Sequence, residues 1–293
     1  MTKISILTVY HKEAEIINGE DFLPVNAGRA VAKSEYKDWL EKNTVGDDTG
    51  INISAKNPMY NELTAVYWAW KNLESDYYGL MHYRRHFIFE KREKPYYSFK
   101  KAGDNYTDVI KYTPERLRTF LEEYDFIAPM PMKRKSVYEH YKNAHDVSDL
   151  LFAKNVIDTC FPEYSLSAEK YIYGSDSYFY NMFVFDKETF TRYCEFMFGV
   201  LEKCEEKFIG KRMFISERLT GIFITQLIKE GKKGLFLPTA YIVTKIKFKD
   251  AYKQTKANLQ VRKGGGIKSL VYAFKPLLVW LLPEFIFAKY RNR

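Results

Sequence analysis

Ionisable residues of this 293-residue chain gather in four places, each beside an apolar run. In the run DYYGLMHYRRHF, His82, Arg84, Arg85 and His86 close an apolar segment. Guanidinium groups there are costly to desolvate without anionic partners. Their planar fork grips phosphate through two hydrogen bonds at once. A diphosphate is therefore one suitable partner, and ion pairs to Asp47, Asp48 or Glu62 are the alternative. His11 and Lys12 follow the run ISILTVY, and Gly28 and Arg29 lie a little further on. Such groups after a first strand can hold a base, a ribose or a diphosphate, or form a solvated turn. Asp47 and Asp48 sit between Gly46 and Gly50. Paired carboxylates can ligate Mg²⁺ or Mn²⁺, or make an Asx turn that caps the next helix. The fourth group is Asn181 with Glu217 and Arg218. A carboxylate at a helix start can take a proton as general base, or simply complement the helix dipole.

The elements that must carry these groups alternate. Ile4–Tyr10 reads as a buried strand, residues 13–56 as mixed and loop-like, and Asn57-Pro58 as the opening of a helix to about Ser75. Asp76–Phe89 reads as a second strand. Thr113-Pro114 is a cap and first turn for a helix to about Glu123, and residues 124–129 form a strand stopped by Pro129. A helix is expected over 136–159, a strand over 178–185, helices over 187–208 and 214–229, and a last strand over 234–242. That alternation favours an α/β sheet, mostly parallel and flanked by helices. Ligands of such sheets bind beyond the C-terminal ends of the strands.

Composition narrows the function classes. Twenty-two Phe and 24 Tyr argue for a packed core over disorder. Three cysteines, none in a CxxC spacing, suit a reducing compartment. The five-residue apolar start is too short for a signal peptide, so the reading is cytoplasmic. No GxxxxGK[ST], GxGxxG, GxSxG or HExxH string is present, which argues against a P-loop nucleotidase, a dinucleotide enzyme, an α/β-hydrolase or a zincin. The net charge is +9, yet residues 241–293 carry nine Lys and three Arg against two acids. The rest of the chain is therefore close to neutral, unlike a nucleic-acid-binding protein with a basic cleft. Residues 267–290 mix large apolar side chains with cations and have no run of about 20 apolar residues. They suit an interfacial anchor on an anionic membrane. The expected organisation is a domain over 1–245 and a basic, amphipathic tail over 246–293.

In order along the chain, GDDTGINISAKNPMYNELTAVYWAWKN, DYYGLMHYRRHF, YDFIAPMP, YNMFVFDKETFTRYCEFMF and SERLTGIFI together resemble a family of bacterial capsule and exopolysaccharide glycosyltransferases. That family was long catalogued as a domain of unknown function, and some members transfer galactofuranose from UDP-galactofuranose. The resemblance covers about residues 1–245. It implies a GT-A-like, Rossmann-type domain, a UDP-sugar donor and a lipid-diphosphate-linked glycan acceptor. The basic, amphipathic tail places the enzyme peripherally on the inner face of the cell membrane, and the neutral remainder argues against a nucleic acid partner. Enzymes of that fold usually hold a metal with a DxD motif, and this chain has none after its comparable strand. Either Asp47 and Asp48 hold Mn²⁺ or Mg²⁺, or Arg84 and Arg85 supply the positive charge. The resemblance places the catalytic carboxylate at Glu217. It leaves His11, Lys12, Gly28, Arg29, His82, Arg84, Arg85, Asn181 and Arg218 to the donor. A non-catalytic, membrane-bound scaffold of a polysaccharide-assembly complex is the alternative from another class.

Overall fold

Strand β1, Ile4–Tyr10, is buried along its whole length. A β-branched, apolar run with no polar face fits a sheet covered on both sides. The computed structural model describes residues 2–100 and 106–243, with Tyr252, Thr255, Lys256 and Phe274 beyond them. β2 (Phe22–Asn26) and β4 (Tyr77–His82) pair with β1 in parallel, one on each side, and β3 (Val45–Gly46) extends the sheet past β2. The later strands are β5 (Arg85–Phe87), β6 (Tyr96–Lys100), β7 (Phe126–Pro129), β8 (Met132–Lys133), β9 (Asp176–Ser177), β10 (Phe183–Asp186), β11 (Gly234–Leu237) and β12 (Thr239–Val243).

The main sheet runs β11-β7-β10-β4-β1-β2-β3. Only β10 is antiparallel to its neighbours on this path. The result is a mixed α/β fold with a mostly parallel sheet. β1, β2 and β4 end at the same edge, and the segment entering β10 arrives there too, because Phe183 pairs with Leu80 near the end of β4. β5 folds back on β4 and pairs with the start of β12.

The helices are α1 (Ser34–Asn43), α2 (Asn57–Tyr60), α3 (Leu63–Asn72), α4 (Tyr106–Ile110), α5 (Pro114–Glu123), α6 (Val137–Ala144), α7 (Val147–Cys160), α8 (Ser165–Tyr173), α9 (Lys187–Cys204) and α10 (Ser216–Lys229). The main core joins α3 and α7 to α10 with Leu7 and Val9, Tyr78 and Leu80, Phe126 and Ala128, and Phe183 and Phe185. These strand residues are two apart, so they share one face of the sheet. Each buried Phe stabilises the fold by about 2–3 kcal/mol, and Phe183, Phe185, Phe190 and Tyr193 stack into one aromatic cluster.

Residues 1–97 and 104–241 make one compact unit. The described residues 98–100 and 242–243 fall outside it, in a second. The expected membrane tail, 246–293, lies outside the described residues apart from the four isolated positions. No helix among the described residues is long and apolar enough to cross a membrane.

Several boundaries differ from the sequence expectation. Residues 13–56 contain β2, α1 and β3. Pro24 disguises β2, but β3 reaches only Val25 and Asn26, so Pro24 has one neighbouring strand alone. The helix expected from Asn57 to Ser75 breaks at Asn61, whose φ is +53°. The strand expected over 76–89 turns at Tyr83 and Arg84, the helix over 136–159 breaks at His145-Asp146, and Pro238 divides the last strand. Residues 178–182 are not strand, and α8 has no counterpart in the sequence reading.

α8 and α10 meet where α10 has no side chain. A Cβ at Gly221 would lie 2.0 Å from the ring of buried Tyr171. Gly221→Ala gains about 1 kcal/mol in helix propensity, yet it must displace that ring. Net destabilisation is expected in denaturant titration; a stabilised variant would show that the two helices are not locked together.

Candidate active site

The loops at the shared strand edge enclose a cleft of about 780 Å³. His11 and Lys12 enter it after β1, Asn26 to Gly28 after β2, and His82 to Arg85 after β4. Asn57, Asn61 and Glu62 come from the α2–α3 junction, and Phe179 from the approach to β10. Arg212 to Phe214 precede α10, whose first turn adds Ser216, Glu217 and Arg218.

Gly28 has φ +73°, a conformation that glycine adopts without steric cost. Its backbone N–H donates to Asp47 Oδ2 (2.7 Å). Asp47 Oδ1 accepts from the Arg29 N–H (3.0 Å) and from Ser54 Oγ (2.5 Å). Asp47 is fully buried and organises the β2 loop from behind. Asp48 pairs with Arg29 through Nε (2.6 Å). Neither aspartate lines the cleft, nor does Arg29. The expectation of a divalent cation at Asp47 and Asp48 therefore meets a different use of these oxygens. Backbone amides and a hydroxyl hold both oxygens of Asp47, and the Arg29 guanidinium pairs with Oδ1 of Asp48. No cluster of three or more His, Cys, Asp or Glu side chains suited to a metal occurs among the described residues.

The arginines after β4 remain turned to the cleft. Arg84 lies over the Tyr83 ring and Arg85 over the rings of Tyr180 and Tyr241. Neither forms an ion pair among the described residues, so the alternative pairing with Asp47, Asp48 or Glu62 is not made. Lys12 and exposed Arg212 add positive charge to the same cleft.

Tyr180 and Asn181 both have positive φ, +77° and +53°, a costly state for side-chain-bearing residues. Asn181 is 1% exposed and does not line the cleft as a donor ligand would. Its amide instead donates to Glu62 Oε1 (2.8 Å) and Ser216 Oγ (3.1 Å), and accepts from Thr220 Oγ1 (2.7 Å). The Tyr180 carbonyl accepts from His82 Nε2. Burial holds the His82 pKa below its ordinary value, against the opposing field of Glu62.

Glu217 is partly exposed to the cleft, and Arg218 is 4% exposed behind it. Arg218 donates from Nη1 to Glu217 Oε2 (2.9 Å) and from Nη2 to His140 Nδ1 (3.2 Å). Arg218 thus orients Glu217. Burial, helped by Arg218, lowers the His140 pKa to about 4, which keeps Nδ1 free of a proton and able to accept. The cleft also contains Asn61 and Arg212, which the sequence reading did not single out, and His140 and His145 of the run EHYKNAH, which it weighed as core or surface histidines. The signal of Asn61 and Arg212 is weak, because one lies at a helix break and the other in a loop.

A family model described as Domain of unknown function (DUF4422) matches residues 5–229. The chain belongs to this family. A solved structure titled as the apo form of the WbbM bifunctional glycosyltransferase is similar, with TM-score 0.74 and 30% identity. The match covers 83% of this chain and 46% of that one, so this chain spans about half of that protein's length. No curated protein sequence matches.

Two predictions follow from how this family member builds its cleft. Asp47→Ala should cost about 3 kcal/mol in denaturant unfolding by stranding buried donors, whereas Asp48→Ala should cost under about 1 kcal/mol. Equal effects would remove the organising role given to Asp47. His82, His86 and His140 all have folded pKa values below the ordinary 6.5, with His86 held near 3 by burial. The unfolded chain therefore binds more protons below pH 6.5, and stability should be full above that pH and fall as pH drops. The melting temperature is expected to decline between pH 6.5 and 5, where carboxylates stay ionised; a flat profile would show that these imidazoles are not held neutral.

Proposed function

We propose that this chain is a glycosyltransferase that moves a sugar from a UDP-linked donor to a lipid-diphosphate-linked glycan, with inversion, in cell-surface polysaccharide synthesis. The observation that carries this reading is one cleft, at the C-terminal edge of parallel strands, that holds unpaired Arg84 and Arg85 together with an oriented carboxylate, Glu217. The similarity to a bifunctional glycosyltransferase supports the reaction class. The sequence resemblance supports galactofuranose as a donor sugar to try first. The chain works at the inner face of the cytoplasmic membrane, where residues 246–293 bring it to anionic lipid and to its acceptor.

In this mechanism Glu217 takes the proton of the acceptor hydroxyl as that oxygen attacks the anomeric carbon. The bond from the anomeric carbon to the β-phosphate oxygen breaks, and its electron pair leaves with the nucleoside diphosphate. Arg84 and Arg85, aided by Lys12, meet the charge that develops on that leaving group. Gly28 and the loops after β1 and β2 receive the nucleoside. Both oxygens of Asp47 are engaged and Asp48 is paired with Arg29, so no step is assigned to a cation held there.

Transfer to a lipid-diphosphate-sugar acceptor from a panel of UDP-, GDP- and dTDP-sugars tests the proposal. One donor should support transfer, and EDTA should leave most of the rate. A rate abolished by EDTA and restored by Mn²⁺ would require a cation site. Glu217→Gln should reduce kcat by about 100-fold or more with UDP binding retained; near-normal turnover would remove Glu217 as the base.

A further inference from the structure

The cleft has two chemically distinct walls. Lys12, Arg84, Arg85 and Arg212 are cationic, while Asn57, Asn61 and Glu62 at the α2–α3 junction carry amides and a carboxylate. The second wall is rich in hydrogen-bond acceptors aimed by its own packing. Asn57 Nδ2 donates to the Asn61 carbonyl (2.7 Å) and to Thr64 Oγ1 (3.2 Å), which leaves Oδ1 as its acceptor atom. That side chain can lie where it does because Gly28 has no Cβ, which would fall 2.3 Å from Asn57 Cγ. Glu62 Oε1 is fixed by buried Asn181, and Glu62 Oε2 has no hydrogen-bond partner among the described residues. Asn61 breaks the helix with φ +53° and so turns the wall toward the cleft.

Acceptor oxygens repel phosphate and bind hydroxyl donors. A ligand carrying both anionic phosphate and neutral hydroxyls would therefore enter in one orientation, phosphates on the cations and hydroxyls on the amides and carboxylate. We propose that Asn57, Asn61 and Glu62 form a hydroxyl-reading wall for the donor's sugar, with Glu62 as its specificity-determining residue. The assignment rests on the nucleotide-sugar reading of the cleft. Asn181 serves as a positioning residue, because its amide holds one Glu62 oxygen and leaves the other for the sugar.

The test is calorimetric binding of UDP, UDP-glucose, UDP-galactose and UDP-galactofuranose to the full chain and to Glu62→Gln, using the sugar nucleotide that binds the wild type most tightly. Gln keeps the shape but replaces one acceptor oxygen by a donor. Lost hydrogen bonds to a charged group are expected to weaken the sugar nucleotide tenfold or more, with UDP affinity changed less than twofold. Asn61→Gly keeps the left-handed backbone and should give the same selective loss, about threefold, so it decides the matter should Glu62→Gln fail to fold. Equal effects on UDP and on the sugar nucleotide, with UDP still bound by the wild type, would overturn the wall alone. Folded wild type that binds none of the four ligands would overturn the nucleotide-sugar reading, and the wall with it.

Discussion

The buried amide of Asn181 ties the cleft together. It sits in a left-handed turn where a side-chain-bearing residue is disfavoured, and the hydrogen bonds of its side chain offset that cost. Through Glu62 it reaches the start of α3, and through Ser216 and Thr220 the first turns of α10. The adjoining Tyr180 carbonyl reaches His82 at the end of β4. Tyr171 of α8 steadies the same segment by donating to and accepting from the backbone of Tyr178. Elements far apart in sequence are thus registered to one another around a single polar node, in a setting where an unmade hydrogen bond is expensive.

Charge is distributed over the cleft with a consistent logic. The carboxylates nearest the backbone loops are consumed internally, as Asp47 by amides and Asp48 by Arg29. Arg218, almost wholly buried, is compensated by Glu217 and a neutral His140. Arg84 and Arg85 are treated differently. They rest on aromatic faces, which hold a guanidinium without neutralising it. Positive charge is thereby concentrated where an anionic leaving group would lie, in a concave and partly desolvated space that strengthens electrostatic interactions.

Much of the architecture was legible in the sequence. The run Ile4–Tyr10, the capped start at Thr113-Pro114 and the long amphipathic stretch from Lys187 all became the expected elements. The clusters around His11, His82 and Glu217 were recognisable because costly polar groups end apolar runs, and the fold brings them to one cleft. Other parts misled. Pro24 concealed a strand that tolerates it at a place paired on one side, and the helix that opens at Asn57 as expected was read straight through Asn61 because propensity gives no warning of a left-handed residue. For Asp47 and Asp48 the sequence left a ligand pair and a structural turn open, and their contacts are those of loop organisation and an ion pair.

By itself, the sequence determined the alternation of strand and helix, the covered sheet and the residue types available for chemistry. Periodicity, caps and the cost of stranded charge act within a few residues and are written locally. Only the tertiary structure decided which polar groups face the cleft and which stand behind it. Asn181 and Asp47 were indistinguishable in sequence from ligand-binding residues, and became supports because partners 7 to 119 positions away take up their hydrogen bonds. Glu62 became a cleft residue for the converse reason: packing fixed one of its oxygens and left the other without a hydrogen-bond partner among the described residues.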